Sequence, residues 1–269
     1  SKEETDVKKA ILFVSALLCL CVAATGFAGD GSWERVQEKG ELVIGLDDTF
    51  APMGFRKDDG TLVGFDVDAA EALGERLGID IAWQPTAWDG VIHSLNAKKF
   101  DCIWNGMTIT EERAAKVDFT EPYIMDGQIV VVQFENDAVT DFADLGGTTV
   151  GVQKGSSAVE AVEDLPKAPE TVKEYPSNNN ALLDLEAGRL AAVIVDNVAG
   201  RYAIATRPGT FKVLPGFVTK EPFGIAFRKA DDSLRMKVQQ ALDAMVEDGT
   251  LAEISRKWFG EDITNPAKW

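Results

Sequence analysis

The chain has few of the residues that serve as nucleophiles, bases or metal ligands. Among its 269 residues there is one histidine, His93, and there are three cysteines. Ser–His and Cys–His catalysis need a histidine beside the nucleophile. We interpret His93 as a surface residue of a helix from Trp88 to Ala97, so these mechanisms are not expected. The sequence has no spacing typical of a metal site, and we expect neither a metal nor a cofactor.

The three cysteines provide no disulfide for the mature protein. Cys19 and Cys21 lie in an N-terminal segment that we interpret as a signal peptide, so Cys102 remains alone. Exported proteins can form disulfides, but this thiol has no partner. Cys102 lies within a strand pattern, and we therefore interpret it as a buried small apolar residue and not as a reactive thiol.

Positive charge is scarce. The chain has 27 Lys and Arg residues against 44 Asp and Glu residues, which gives a formal net charge of -17 and a pI of about 4.5. Nucleic acids and anionic membrane surfaces bind through basic patches, so neither is an expected partner. We interpret the acidic surface as one that keeps a soluble protein in solution.

The N-terminal segment has the pattern of a signal peptide. Lys8 and Lys9 precede an apolar run, from residue 10 to about 24, that is too short to span a bilayer comfortably. Small residues follow, and we predict cleavage after Ala28. An alternative is lipidation of Cys21, although Leu20 before it is bulky where a lipobox has a small residue. The predicted location is the periplasm or, with lipidation, the outer face of the membrane.

Strand and helix patterns alternate along the rest of the chain. Short apolar runs predict strands at 42–46, 79–83, 101–104, 129–134, 148–152, 190–195 and 223–227. Apolar residues spaced by four mark one face of a helix, at Phe65, Ala69, Leu73 and Leu77. Further helices are predicted at 178–188, capped by Asn178, and from 232 to 259 with a break at Gly249. This alternation predicts an α/β fold with largely parallel sheets.

Residues 101–123, DCIWNGMTITEERAAKVDFTEPY, form the segment that is most informative about function. A short apolar strand ends at Asn105-Gly106, a turn signal, and Thr110 before two glutamates is typical of a helix start. A guanidinium held just past a strand end, here Arg113, can bind a carboxylate through two parallel hydrogen bonds. A free N–H at Gly106 and the hydroxyl of Thr108 can complete that contact. We therefore interpret the segment as an anion-binding element.

This segment resembles the signature of the family 3 extracellular solute-binding proteins, the polar-amino-acid-binding proteins of bacterial ABC transporters. Further stretches agree in the same order, at 44–55 (IGLDDTFAPMGF), 64–78 (GFDVDAAEALGERLG), 150–157 (VGVQKGSS), 193–197 (VIVDN) and 241–260 (ALDAMVEDGTLAEISRKWFG). The resemblance covers nearly all of the chain after residue 33. The ordered set of stretches is specific for the family and much less so for the ligand.

The resemblance implies a type II periplasmic-binding-protein fold, in which two α/β lobes are joined by a two-strand hinge. We predict the crossing strands at Ile129–Val132 and Phe223–Phe227. The predicted division is a signal peptide at 1–28, lobe 1 at 29–128 and 224–269, and lobe 2 at 129–223. The ligand is expected between the lobes, which close around it by hinge motion.

For an amino-acid ligand, the resemblance assigns the α-carboxylate and α-ammonium to residues of both lobes. Arg113 corresponds to the arginine that binds the carboxylate, and Gly106 to a backbone N–H on the same group. Thr108 corresponds to a hydroxyl that contacts both charged groups, and Asn105 to a position whose carbonyl faces the ammonium. Asp196 corresponds to the acid that pairs with the ammonium, although capping of the helix that follows it is an alternative role.

Gly155, Ser156 and Ser157 follow a strand and are predicted to open a helix. The N–H groups and the dipole at a helix N-terminus favour an anion. Ser156 and Ser157 are therefore candidate ligand-binding residues, although an ordinary helix cap would have the same local sequence.

Four further residues are assigned to the pocket for the ligand side chain. Phe50 and Trp88 correspond to aromatic walls, which can flank an aliphatic stem or stack on a guanidinium; either residue could instead belong to the core. Asp47 corresponds to an acid at the distal end of the ligand, and Gln153 to a position that varies with the ligand. An acid and a neutral amide suit a donor-bearing side chain, so we expect glutamine, arginine, lysine or histidine. Acidic ligands would meet Asp47, and aliphatic ligands would leave buried polar groups unpaired.

The sequence thus predicts a monomeric binding protein, not an enzyme, that delivers a polar or basic L-amino acid to the permease of an ABC transporter. Two other classes stay open. Some relatives on this fold are dehydratases of cyclic acids, and recovery of a bound amino acid unchanged would argue against that activity. A receptor-type sensor module would need a transmembrane helix or a second domain after residue 260.

Overall fold

Two mixed β-sheets, each with helices packed on it, account for most of the described chain. The computed structural model describes residues 30–264. The predicted signal peptide, its cleavage site and Cys21 lie outside these residues. Within 30–264, no helix is long and apolar enough to cross a membrane.

The secondary structure of residues 30–264 follows the predicted alternation of strands and helices. In chain order the strands are β1 (Glu41–Leu46), β2 (Thr49–Phe50), β3 (Gly54–Arg56), β4 (Leu62–Val63), β5 (Asp80–Pro85), β6 (Cys102–Thr108), β7 (Asp118–Phe119), β8 (Ile124–Asp126), β9 (Gln128–Gln133), β10 (Thr149–Gln153), β11 (Thr171–Tyr175), β12 (Ala192–Asp196), β13 (Phe211–Val213) and β14 (Glu221–Phe227). The helices are α1 (Ser32–Lys39), α2 (Phe65–Leu77), α3 (Val91–Asn96), α4 (Glu111–Ala114), α5 (Ala158–Ala161), α6 (Asn178–Glu186), α7 (Asn197–Thr206), α8 (Asp232–Glu247) and α9 (Thr250–Phe259). Short 3-10 turns occur at Trp88–Gly90, Phe142–Leu145 and Val162–Asp164.

The first sheet joins a parallel half to an antiparallel half. Its strand order is β5-β1-β6-β14-β7, and β8 also pairs with β14. β1 runs parallel to β5 and β6, whereas β14 runs antiparallel to β6, β7 and β8. The small separate sheet β2-β3-β4 lies after β1 in the chain and brings Phe50 towards the end of β6.

The second sheet repeats this plan. Its order is β11-β10-β12-β9-β13, with β10 parallel to β11 and β12, and with β9 antiparallel to β12 and β13. The prediction of largely parallel sheets therefore describes three strands of each sheet, and the strands that adjoin the crossings are antiparallel.

The chain passes between the two sheets at two neighbouring places. β8, in the first sheet, ends at Asp126, and β9, in the second, begins at Gln128. The return passage lies between β13 and β14 and touches the first, because the Val218 N–H donates to the Gln128 carbonyl at 2.8 Å. Each predicted crossing strand, Ile129–Val132 and Phe223–Phe227, is the first strand reached after a crossing. The domain limits after 128 and after 223 stay a prediction.

Several local predictions are confirmed. Phe65, Ala69 and Leu73 are fully buried on one face of α2, and Gly249 separates α8 from α9. His93 is exposed on α3. Cys102 is free and buried, and burial raises the pKa of its thiol well above the usual range, as expected for a packing residue.

Other local predictions are wrong, and tertiary contacts explain them. The turn predicted at Asn105-Gly106 lies inside β6, which continues to Thr108 because it pairs with β14. Ser177, not Asn178, caps α6, since its Oγ accepts from the Asn180 N–H at 3.2 Å. Strand β11 is absent from the predicted strands. It is an exposed edge strand with one buried residue and therefore has no apolar run.

Candidate functional site

All eleven residues that the sequence nominated for ligand binding line one narrow cavity, which encloses about 10 Å³. The first lobe and the second lobe both contribute to its wall. From the first come Asp47, Phe50, Trp88, Asn105, Gly106, Thr108 and Arg113, and from the second come Gln153, Ser156, Ser157 and Asp196. The parallel strands explain this convergence. β1 runs parallel to β6 and β10 runs parallel to β12, and the carboxyl ends of all four strands lie at the cleft.

Arg113 is a buried cation in the wall of this cavity. Thr110 caps α4 by accepting from the Arg113 N–H at 3.2 Å, as predicted. The residue is 8% exposed, and the guanidinium carbon lies 5.7 Å from the centre of the Trp88 ring. Its Nη1 donates to the Thr108 carbonyl at 2.9 Å and its Nη2 to the Gly155 carbonyl at 3.1 Å. Burial lowers the pKa of Arg113, and the acids Asp196 and Glu221 oppose that shift.

Gly155 is the residue of the second lobe that contacts Arg113 of the first lobe. Its φ is +74°, and a Cβ at this position would lie 2.8 Å from the Asp89 Cα. Any other residue would therefore push the lobes apart or strain the backbone. Lys154 forms an ion pair with Asp89 at 3.0 Å across the same gap.

Asp196 is the buried acid that the second lobe contributes. It ends β12, and burial raises the pKa of its carboxyl to about 8, with Asp126 and Glu221 adding to the shift. Its Oδ1 accepts from the Gln128 Nε2 at 2.9 Å. Asp196 stands at the N-cap position of α7, but its side chain makes no capping hydrogen bond. The side chain of Asp126 makes the capping contact instead, because its Oδ2 accepts from the Val198 N–H at 3.4 Å.

The N–H of Gly106 is not free, contrary to the prediction. It donates to Asp66 Oδ2 at 2.7 Å and to the Tyr123 hydroxyl at 3.1 Å. The Tyr123 hydroxyl in turn donates to Asp66 Oδ1 at 2.9 Å. Asp66 is fully buried at the start of α2, and burial raises its pKa to about 7. Gly106 therefore lines the cavity but does not offer its N–H to a ligand. Its φ is +54°, and a Cβ there would lie 2.9 Å from the Phe50 ring.

Asn105 takes part in the site through its side chain as well as its backbone. Its Oδ1 accepts from the Asp47 N–H at 2.9 Å. Its Nδ2 is buried and has no hydrogen-bond partner among the described residues. This amide lies beside Gly54, where an added Cβ would come within 3.0 Å of the Nδ2.

Asp47 and Gln153 meet directly across the cleft. Gln153 Nε2 donates to Asp47 Oδ2 at 2.7 Å and to the Pro176 carbonyl at 3.3 Å. The other oxygen of Asp47 accepts from the N–H and the hydroxyl of Thr49, at 2.9 and 2.6 Å. The acid and the amide predicted to read the ligand's distal end are therefore one interlobe hydrogen-bonded pair.

The predicted anion site at Ser156 and Ser157 is weaker than expected. The helix that follows, α5, has four residues and therefore a small dipole. The Ser156 N–H and hydroxyl both donate to the Gln153 carbonyl, at 3.2 and 2.8 Å. Ser157 faces the first lobe, where its hydroxyl donates to Glu221 Oε2 at 2.6 Å and lies 3.2 Å from the Thr108 Oγ1.

Three polar residues behind the cavity were missed from the sequence. Asp126, Gln128 and Glu221 are buried at the two crossings, at 4%, 0% and 8% exposure. Asp126-Gly127 and Glu221-Pro222 have the local sequence of turns. A charged residue on each side of a predicted hinge was the available sign, because buried carboxylates are rare outside functional sites.

The donor set fits an amino-acid ligand better than a metal. Within residues 30–264 no group of three or more His, Cys, Asp or Glu side chains is arranged to hold a metal ion. A buried cation and a buried acid at opposite walls of one small cavity suit a zwitterion.

Comparisons with known proteins agree with this geometry. Residues 42–261 match the sequence profile of the bacterial extracellular solute-binding proteins, family 3. The L-cystine-binding protein TcyJ of Escherichia coli K12 is 34% identical over 259 residues, which covers 96% of this chain and 97% of that protein. The L-arginine-binding protein of Pseudomonas aeruginosa is 36% identical over 229 residues, covering 82% and 88%.

A solved structure shows the same fold. It is an ABC uptake transporter substrate-binding protein from Streptococcus pneumoniae with bound histidine, 34% identical, with a TM-score of 0.83 over 88% of this chain and 99% of that one. The predicted two-lobe type II architecture is therefore confirmed. The chain belongs to the bacterial extracellular solute-binding proteins of family 3.

Proposed function

We propose that the protein captures one L-amino acid between its lobes and delivers it, as an exported monomer, to the permease of an ABC transporter. The observation that carries the proposal is that Arg113, a buried cation from the first lobe, and Asp196, a buried acid from the second, line the same cavity. The E. coli, P. aeruginosa and S. pneumoniae relatives support it, since each is described as an amino-acid-binding protein or holds a bound amino acid.

Arg113 binds the ligand carboxylate in this proposal. Two of the five guanidinium N–H donors are used by the carbonyls of Thr108 and Gly155. The remaining guanidinium donors are available to carboxylate oxygens, and the Thr108 hydroxyl can reach the ligand only by giving up its hydrogen bond to Glu221. Ser156 and Ser157 close the wall on the second lobe.

Asp196 binds the ligand ammonium in this proposal. Because the side chain does not cap α7, its carboxyl is free to take that role. The Asn105 position supplies the carbonyl suggested by the family resemblance. Neither buried charge finds its full partner until the lobes meet around a zwitterion, so binding favours the closed arrangement.

The ligand's side chain lies between Phe50 and Trp88 and points at Asp47 and Gln153. The enclosed volume of about 10 Å³ is too small for an amino acid, so the lobes must separate to admit the ligand. The ligand's distal group must either hydrogen-bond to the Asp47–Gln153 pair or separate the two residues. This requirement favours glutamine, arginine, lysine or histidine. Cystine, the ligand named for the E. coli relative, has two amino-acid heads and would require that pair to separate.

A thermal-shift screen of the mature protein against the standard L-amino acids and L-cystine tests the function. A ligand at a hundred times its dissociation constant stabilises the native state by roughly 2.7 kcal/mol, which corresponds to a rise in Tm of roughly 5–11 °C for a protein of this size. No shift with any of them would contradict amino-acid binding. Recovery of the bound amino acid unchanged after incubation separates a binding protein from a dehydratase.

Export is proposed from the N-terminal segment and the family. The intact mass of the protein isolated from the cell envelope would distinguish cleavage after Ala28 from lipidation of Cys21. A mass that retains residues 1–28 would contradict both.

The Asp47→Asn change is expected to identify the distal group of the ligand. If the ligand is cationic, loss of this counter-charge should weaken L-arginine binding at least about tenfold, or about 1.4 kcal/mol. L-Glutamine should lose less, because its amide needs only an acceptor. Isothermal titration calorimetry with both ligands gives the ratio, and exposed Asp58→Asn in the same lobe is the control. Equal small losses for both ligands would show that Asp47 does not contact the ligand.

A further inference from the structure

Three carboxyl groups are buried together where the chain passes between the lobes. We call Asp126, Gln128, Asp196 and Glu221 the crossing cluster. Asp196 lines the ligand cavity, whereas the other three lie behind it. The amide Nε2 of Gln128 donates to Asp196 Oδ1 at 2.9 Å, and its second hydrogen lies between the Ser157 Oγ at 3.2 Å and Glu221 Oε2 at 3.3 Å, so one amide links two carboxyl groups.

Hydrogen-bond donors are unevenly shared within the crossing cluster. Glu221 accepts from the hydroxyls of Thr108 at 2.9 Å, Ser157 at 2.6 Å and Thr219 at 2.6 Å, in addition to Gln128. Four donors stabilise an ionised carboxylate. Glu221 is therefore the member of the cluster that is built to carry a negative charge.

Asp196 has far fewer donors. Among the described residues its carboxyl receives one side-chain hydrogen bond, from Gln128, and the Gln128 Oε1 has no partner. Asp126 lies between these extremes, with the Asn197 Nδ2 at 3.0 Å and the Val198 N–H at 3.4 Å. The cluster thus lacks donors at the oxygen atoms that face the cavity, and a bound proton or an ammonium group can supply one.

The charges around Asp196 also favour its neutral form. Asp126 on β8 and Glu221 on β14 are acidic, and Arg113 on α4 is the facing cation. Arg113 also interacts electrostatically with Glu112 and Glu160, whose negative charges raise its pKa. Gln128 on β9, Ser157 before α5 and Asn197 on α7 are neutral. One cation cannot neutralise three buried acids, and an unneutralised buried charge is costly.

We propose that Asp196 holds a proton in the ligand-free protein, with Glu221 as its ionised neighbour across the Gln128 amide, and that the ligand's ammonium displaces this proton to solvent. The inference rests on the proposed function. On binding, the O–H bond of the Asp196 carboxyl breaks, the proton passes to the buffer, and an ammonium N–H donates to the resulting carboxylate. Glu221 does not contact the ligand; its negative charge favours the protonated form of Asp196. Amino-acid binding is therefore coupled to the release of a proton.

The direction of the pH dependence follows from the burial of Asp196. With a pKa of about 8 in the closed protein, this carboxyl is about nine-tenths protonated at pH 7. An adjacent ammonium favours the ionised form and lowers that pKa. Binding therefore competes with the proton, and affinity rises with pH. For L-arginine, whose own charges are constant between pH 6 and 7, the association constant should rise severalfold over that unit, towards the tenfold limit for one displaced proton.

Calorimetry of the full mature protein with L-arginine tests the inference directly. At pH 7 the binding enthalpy should depend on the ionisation enthalpy of the buffer, compared between phosphate and Tris, with a slope that corresponds to release of up to one proton. A binding enthalpy that is the same in both buffers would overturn the inference and leave the proposed function intact. A protein that binds none of the screened amino acids would overturn both.

The Glu221→Gln variant separates a charge effect from a structural one. Removing the neighbouring charge should lower the pKa of Asp196, so the rise in affinity from pH 6 to 7 should be smaller than in the wild type and fewer protons should be released. If Glu221 only holds the Thr108 and Ser157 hydroxyls, affinity would drop equally at both pH values, and the inference would be wrong. Exposed Glu253→Gln on α9 is the control and should keep the wild-type pH profile. The wild-type buffer dependence decides the question even if Glu221→Gln fails to fold.

Discussion

The Arg113→Ala protein is expected to bind its amino acid at least about thirtyfold more weakly while both lobes stay folded. Removing one member of a buried charge pair costs roughly 2–5 kcal/mol, because the ligand carboxylate loses its partner in a desolvated site. The guanidinium also joins the lobes through the Gly155 carbonyl, so closure should be less favourable as well. Isothermal titration calorimetry, with circular dichroism for folding, gives both quantities.

Two further variants sharpen this test. Arg113→Lys keeps the charge but loses the planar fork and the contact over Trp88, so its affinity should fall between those of the wild type and Arg113→Ala. Arg256→Ala, at an exposed arginine of α9, should bind as the wild type does. Wild-type affinity in a folded Arg113→Ala protein would remove the carboxylate contact from the proposed function.

The Asp196→Asn protein should also bind at least about thirtyfold more weakly, since the ammonium loses a buried counter-charge worth roughly 2–5 kcal/mol. The amide resembles the protonated carboxyl in shape and charge, so the variant represents the state that the ligand must otherwise deprotonate. The unliganded stability should stay within about 0.5 kcal/mol or increase, because the side chain makes no cap to α7 and a buried acid is removed.

Denaturant unfolding of unliganded Asp196→Asn, together with calorimetric titration, measures the two effects separately. Asp164→Asn, exposed in the same lobe, is the matched control. If the unliganded variant lost several kcal/mol while its affinity held, Asp196 would serve the fold and not the ligand.

Direct contacts between the lobes determine how the site closes. Gln153 donates to Asp47 at 2.7 Å, Ser157 lies 3.2 Å from Thr108, and Lys154 pairs with Asp89. These contacts favour closure without the ligand's help, and a ligand changes the balance only by what it adds to them. The amino acid adds a carboxylate for Arg113 and an ammonium for Asp196, which no contact between the lobes provides.

Local patterns in the sequence were sufficient for the fold class and for much of the site. Apolar runs and four-residue spacing predicted β1, α2 and the pair α8 and α9, because burial of one face imposes these periods on the chain. Thr110 capped its helix as predicted, since capping depends on neighbours three residues apart. The ends of parallel strands must meet at one edge of a sheet, so residues that follow β1, β6, β10 and β12 came together around one cavity.

Tertiary structure alone decided which of these groups are free to bind. The Gly106 N–H is taken by Asp66, forty residues earlier in the chain, and Gln153 meets Asp47 from 106 residues away. Glu221 finds Thr108 and Ser157 across separations of 113 and 64 residues. Whether a polar group is satisfied, and how strongly burial shifts its pKa, depends on neighbours brought in by folding. Local sequence patterns specify how each segment folds but carry no record of such distant partners.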